Sequence, residues 1–236
     1  TNRRLQEANE AKNKVFSIIA HDLRNPFASI ISFINLLEQD NLEISDEEYR
    51  YIIGELKKIT TNTDLLLQNL LAWARSQTEG MQVNAADIEL HSAVTAVCTL
   101  LEGQAKAKGI VLKQQIEPGL KARVDEQMLH TVLRNLISNA IKFSHPDQPV
   151  SIHAERQGNE ALLSVSDCGV GIDSENLNKL FDINSAFSTS GTREEQGTGL
   201  GLKMSNELMK RNQGRMWVES HPDQGSTFFI ALPVES

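Results

Sequence analysis

The chain has 236 residues, 40% hydrophobic and 23% charged, which suits two modest domains that each bury a core. A formal net charge of −8 argues against a basic face, so nucleic acid is excluded as an expected partner. No apolar run reaches the ~20 residues that cross a bilayer, and the two cysteines, Cys98 and Cys168, lack metal-ligand spacing and read as free thiols. The chain opens at Thr1 inside a charged helical pattern, and any sensor or membrane segment is expected upstream of it.

Residues 1–78 carry helical periodicity and form the first expected domain. Phe16, Ile19, Leu23, Phe27, Ile30, Ile34 and Leu37 recur in alternating steps of three and four. The acidic stretch Gln39–Asp46 interrupts them, with Ser45 or Asp46 as the cap of a second helix and Glu47 and Glu48 at its positive end. The stripe resumes at Tyr49, Ile52, Leu56, Ile59, Thr63, Leu66, Leu70 and Trp73. Two such helices make an antiparallel hairpin, which cannot bury both stripes alone. Pairing two copies into a four-helix bundle does, so a homodimer is expected.

Residues 79–86 read as a linker, and 87–236 as a second domain with a different grammar. A short strand at Asp87–Leu90 and a helix from His91 to Lys108, ended by Gly109, come first. Ile110–Ile116 alternates as a strand, and Asp125–Phe143 is a helix with Met128, Leu129, Val132, Leu133, Leu136, Ile137 and Ile141 inside. Val150–Arg156 and Ala161–Ser166 form a hairpin around Gly158-Asn159. A third helix starts near Gly201, and the strands Arg215–Ser220 and Thr227–Leu232 close the chain. The expected fold of this half is an α/β sandwich, one mixed sheet with helices on one face.

His21 falls between Ile19 and Leu23, about 160° from the apolar stripe, and so on the solvent side. Asn25 sits one turn later on the same face. Pro26 removes the backbone bond to the Asp22 carbonyl, at a cost of ~3 kcal/mol in an ordinary helix interior. The run Phe16-Ser17-Ile18-Ile19-Ala20-His21-Asp22-Leu23-Arg24-Asn25-Pro26 closely resembles the phospho-acceptor motif of sensor histidine kinases. The resemblance implies that a ring nitrogen of His21 attacks the γ-phosphoryl group of ATP. It gives Asp22 the part of base or ring orienter, and Asn25 a part in dephosphorylating the partner. A neutral imidazole, with an ordinary pKa near 6.5, is available as a nucleophile at physiological pH.

Neither a P-loop nor the motif set of Ser/Thr protein kinases occurs. Three other stretches suit a nucleotide. Asn135, Asn139 and Lys142 lie about a turn apart on one helix, two amide oxygens for a hard cation and one point charge. Asp167-Cys168-Gly169-Val170-Gly171 ends a strand in a carboxylate followed by spaced glycines. Gly197-Thr198-Gly199-Leu200-Gly201 opens a helix with N–H groups facing outward for phosphate. In this order they resemble the three ATP-binding boxes of the histidine-kinase catalytic domain, whose fold is gyrase/MutL-like.

That resemblance covers nearly the whole chain. It implies Mg²⁺ coordination by Asn139 assisted by Asn135, adenine recognition by Asp167, and phosphate contacts from the Gly197–Gly201 turn. Between the second and third boxes, Phe181 to Gln196 reads as a lid. The family's F-x-x-F spacing is replaced there by phenylalanines six apart, at 181 and 187. Thr192 and Arg193 are candidate phosphate contacts, and Arg193 reads equally as a solvated charge. The implied activity is Mg-ATP-dependent phosphorylation of His21, then transfer to an aspartate of a response-regulator receiver domain. The implied setting is cytoplasmic for these residues, within a parent protein anchored to a membrane upstream. Alternatives are a gyrase- or MutL-class ATPase without phosphohistidine, a kinase biased towards phosphatase activity, and a non-catalytic dimerisation module.

Overall fold

The computed structural model describes residues 23–38, 44–77, 83–182, 185, 189, 191–192 and 201–234. The chain divides into two compact units, Thr1–Leu71 and Ala72–Ser236. His21, Asp22, Arg193 and Gly197 to Leu200 lie outside the described residues.

In the first unit, residues 23–37 form helix α1, and α2 begins there as part of Asp46–Gln77. Ser45, the first of the two expected caps, starts α2. The Glu48 amide donates to its Oγ at 3.3 Å, and the Glu48 carboxylate accepts from the Ser45 amide at 2.9 Å. This reciprocal capping box satisfies two donors that the helix start leaves open. It also holds the Glu48 carboxyl below its usual range, chiefly through the Ser45 hydroxyl. Of the α2 stripe, Ile52 and Thr63 are buried, while Tyr49 is exposed. The Leu66, Leu70 and Trp73 side chains lie outside the description. Phe27 and Ile34 of the α1 stripe are 51% and 42% exposed, so a single copy leaves apolar surface uncovered.

The second unit runs β1 (Ala85–Glu89), α3 (Leu90–Ala107), β2 (Leu112–Ile116), β3 (Lys121–Asp125), α4 (Glu126–Phe143), β4 (Val150–Gln157), β5 (Glu160–Ser166), α5 (Ser174–Leu177), α6 (Gly201–Arg211), β6 (Arg215–Ser220) and β7 (Ser226–Pro233). Five strands make one sheet in the order β2-β4-β5-β7-β6. β2 pairs parallel with β4 and the other pairs are antiparallel, so the sheet is mixed as expected. The hairpin β4–β5 closes at Gln157↔Glu160, around the foreseen Gly158-Asn159 turn.

Val150, Ile152 and Ala154 of β4, Ala161, Leu163 and Val165 of β5, and Phe228, Ile230 and Leu232 of β7 are buried at alternate positions. They meet Val94 and Leu101 of α3, Leu129, Leu133, Leu136, Ile137 and Ile141 of α4, and Leu208 and Met209 of α6 in one core. The helices therefore cover one face of the sheet. Glu89 caps α3 by accepting from the Ser92 amide at 2.7 Å, and Asp125 caps α4 by accepting from Met128 at 3.1 Å. α3 ends at Ala107 with Lys108 as its cap and is stopped at Gly109 as foreseen, the Ile110 amide reaching back to the Ala105 carbonyl at 2.9 Å.

Two elements were not foreseen, and the first strand begins earlier than expected. The first strand starts at Ala85, and β3, which was not foreseen, pairs with it from Ala85↔Asp125 to Glu89↔Lys121 as a separate two-stranded sheet. β3 has the pattern Ala122 and Val124 inside, Lys121 and Arg123 outside, but its small apolar side chains give a weak alternation signal. The four-residue α5, capped by Asp173, was also not expected.

Candidate functional site

α4 is the frame of the site. Its apolar face sits in the core, which leaves Asn135 and Asn139 half-buried along one flank and Lys142 at its C-terminal end. The Asn135 amide nitrogen donates to Ser205 Oγ of α6 at 2.9 Å. Lys142 is only 9% exposed. Its Nζ donates to the Thr189 carbonyl at 3.3 Å and lies 4.6 Å from the centre of the Phe143 ring.

The last carbonyls of α4 are well occupied. That of Lys142 accepts from Lys108 Nζ at 2.5 Å and from the Thr192 amide at 3.3 Å. The Thr192 hydroxyl donates to the Ser144 carbonyl at 2.7 Å. Thr192 thus binds the helix end that bears Lys142, and the buried Lys108 supports the same carbonyl. Cations at a helix C-terminus meet the negative end of its dipole, which favours both lysines there.

Asp167 follows the end of β5 and is 7% exposed. Its backbone amide donates to the Ser226 carbonyl at 2.9 Å. One carboxylate oxygen, Oδ1, accepts from the Gly169 amide at 3.0 Å and the Ser226 amide at 3.3 Å. Burial pushes this carboxyl up to about 6, and the two backbone amides pull against that rise without cancelling it. The carboxylate is thus fixed through one oxygen, leaving Oδ2 to serve as an acceptor.

The glycines around Asp167 are there because backbone comes close. A Cβ on Gly169 would stand 2.0 Å from the Phe143 carbonyl oxygen, and one on Gly225 would stand 2.0 Å from that of Asp167. Gly171, at φ +66°, would meet the His221 carbonyl oxygen at 1.9 Å. The structure thereby joins the Asp167 loop to the end of α4, through the bridge Ser144↔Gly169, and to the β6–β7 turn.

Gly201, the first residue of α6, lies against α4: a Cβ there would fall 2.3 Å from Asn135 Oδ1. Asn135, Lys142, Thr192, Asp167, Gly169 and Gly201 are therefore linked through α4, its C-terminal end and α6, and Asn139 shares the α4 flank. Asn25 is exposed on α1 of the other unit, its carbonyl accepting from the Ser29 hydroxyl at 3.2 Å.

Several contributors were not singled out from sequence. Ser205 carried a signal, since it falls one turn after Gly201. Lys108 and Ser226 carried none, because their parts depend on which chain segments the fold brings beside them. Lys203, buried in α6, donates to the carbonyl of Ser185 and was likewise missed.

The arrangement has groups suited to a nucleotide. An anchored carboxylate serves as acceptor, amide oxygens and a lysine lie along one helix flank, and a second helix starts at glycine beside them. Known proteins point the same way. Residues 124–236 match the family of histidine kinase-, DNA gyrase B- and HSP90-like ATPases, and residues 11–79 match the His Kinase A (phospho-acceptor) domain.

The phytochrome-like protein Cph1 of Synechocystis sp. is 30% identical over 98% of this chain and 30% of its own length. The sensor histidine kinase AruS of Pseudomonas aeruginosa is 32% identical over 96% of this chain and 23% of its own length. The chain thus spans less than a third of either relative. The solved histidine kinase ThkA, in complex with the response regulator protein TrrA, shares the fold with a TM-score of 0.73 at 21% identity. That match covers 98% of this chain and 64% of ThkA. With residues 11–79 matched by a phospho-acceptor domain and residues 124–236 by an ATPase domain, the chain belongs to the histidine kinases.

Proposed function

We propose that this chain is the catalytic core of a sensor histidine kinase, which binds Mg-ATP in residues 87–236 and phosphorylates His21 in residues 1–78. The observation that carries the nucleotide half is Asp167: a buried carboxylate held through Oδ1 by two backbone amides, in a loop whose glycines admit close backbone. Its second oxygen is the acceptor for an adenine amino group. Asn139, half-buried on the α4 flank, offers an amide oxygen to Mg²⁺, with Asn135 assisting from the preceding turn. When bound, the cation neutralises charge on the phosphate oxygens. Lys142 adds a positive charge, Arg193 supplies a further phosphate contact, and the Gly197-Thr198-Gly199-Leu200-Gly201 turn presents backbone amides. Thr192, whose amide and hydroxyl are given to the Lys142 and Ser144 carbonyls, holds its segment to the end of α4 instead of contacting phosphate.

Phosphoryl transfer asks for positioning and charge neutralisation more than for covalent help. The lone pair of a His21 ring nitrogen forms the new bond to phosphorus, and the bond to the bridging oxygen breaks with its electron pair on ADP. Asp22 orients the ring and accepts its proton. The partner reading is a homodimer built on the apolar surface that a single copy leaves open at Phe27 and Ile34 of α1 and Tyr49 of α2, and a receiver-domain aspartate as the next acceptor. The complex of ThkA with its response regulator supports that second partner. Asn25 is assigned the part of assisting hydrolysis of a phosphorylated receiver.

Incubation with γ-labelled Mg-ATP is expected to give an acid-labile, base-stable phosphoprotein. His21→Gln should abolish the label while leaving nucleotide binding intact. Equal labelling of that variant would sink the assignment of His21, and steady ATP hydrolysis without phosphoprotein would favour a gyrase- or MutL-class ATPase.

A further inference from the structure

We infer that Asn135 is a positioning residue, which locks the first turns of α6 onto α4 and does not itself ligate the cation. The inference rests on the nucleotide site proposed above and gives the assistance of Asn135 a physical form. Its side-chain amide touches two successive turns of α6. The nitrogen donates to Ser205 Oγ at 2.9 Å, and Ser205 is 2% exposed, so the hydroxyl is shut away from water. The oxygen faces the helix start. A Cβ on Gly201 would fall 2.3 Å from Asn135 Oδ1, 2.9 Å from Cγ and 3.1 Å from Nδ2.

All three nearest atoms to that imagined Cβ belong to Asn135, so glycine at 201 is what allows the amide to lie flat against the backbone. Gly201 and Ser205 are four residues apart on one face of α6, which is why one short side chain can hold both. A metal ligand must turn its oxygen towards the cation, whereas this oxygen is packed on a neighbouring helix. Asn139, one turn further along α4, has no such engagement among the described residues and remains the ligand. The amide N–H groups at the start of α6 are useful to a phosphate only if they are held still. Asn135 supplies that restraint from the helix that carries Asn139 and Lys142.

The test is a set of binding measurements on the whole chain, using a non-hydrolysable ATP analogue with Mg²⁺ and with EDTA. Asn135→Ala and Ser205→Ala should each weaken binding about ten-fold, the effect of one neutral hydrogen bond. The double variant should be no weaker than either single, in both conditions, and the Mg²⁺ concentration at half-saturation should not move. A raised half-saturation in Asn135→Ala, with Ser205→Ala binding like the parent, would overturn the inference in favour of direct ligation.

A second pair guards against misfolded variants. Alanine suits a helix better than glycine, and the three nearest atoms to a Cβ at 201 among the described residues all belong to Asn135, so a loss of folding stability in Gly201→Ala is expected through that contact. Adding Asn135→Ala removes the obstructing atoms and should return Gly201→Ala to the level of Asn135→Ala alone, in melting temperature and in affinity. Additive losses in that pair would also overturn the inference. Failure of the parent chain to bind the analogue at all would instead strike the nucleotide site itself.

Discussion

Asp167 shows how far a single side chain can be argued. Its carboxyl is raised from 3.8 to about 6 by burial. The folded form therefore holds a proton that the unfolded chain releases between those values, and folding stability falls as pH rises through that window. Above pH 6 the ionised group costs about 3 kcal/mol by the usual conversion. Asp167→Asn keeps an oxygen for the Gly169 and Ser226 amides without the charge. It should raise the melting temperature at pH 7.5 while weakening ATP binding by more than ten-fold, measured by thermal unfolding and titration. Nucleotide affinity of the parent should itself drop as pH falls below about 6, because a protonated carboxyl no longer offers two acceptors. Ser144 gives a contrasting case. It is fully buried and its Oγ has no hydrogen-bond partner among the described residues, so Ser144→Ala should leave the melting temperature unchanged or raise it.

At the level of helices and strands, Asp125 does more than its place before α4 announces. Oδ1 caps the helix through Met128, Oδ2 accepts from the Asn84 amide at 3.2 Å, and its own amide donates to Asn212 Oδ1 at 2.7 Å. Asp125→Ala removes the two side-chain bonds and should cost about 2 kcal/mol, read by denaturant unfolding. The helices of this half were legible because their stripes are long and their stops marked: Leu129 to Ile141 in α4, Gly109 after α3. β3 was not. Five residues between a turn and a cap, with Ala122 and Val124 as the apolar positions, do not outweigh their neighbours. They become a strand because β1 pairs with them.

For the molecule as a whole, the surface left open on the first unit argues for a second copy. Phe27, Ile34, Tyr49 and Ile53 are each more than 40% exposed. Ile34→Glu should convert a dimer into a monomer by light scattering while sparing nucleotide binding, since that change lies on α1 alone. A variant that stays dimeric would place the pairing surface elsewhere. No described helix is long and apolar enough to cross a membrane.

The order of residue types along the chain was enough for the two-part architecture, the mixed sheet and the family, because periodicity, caps and short motifs are local properties. Local spacing also grouped Asn135, Asn139 and Lys142, but only as neighbours on one helix. Which way the Asn135 amide turns, that Lys108 reaches the carbonyl of Lys142, and that Ser226 holds Asp167 were decided by folding. Each depends on segments 34 to 70 residues apart meeting in the core. A hydrogen bond needs its partners within about 3 Å, and no pattern of nearby residues fixes a distance between remote ones.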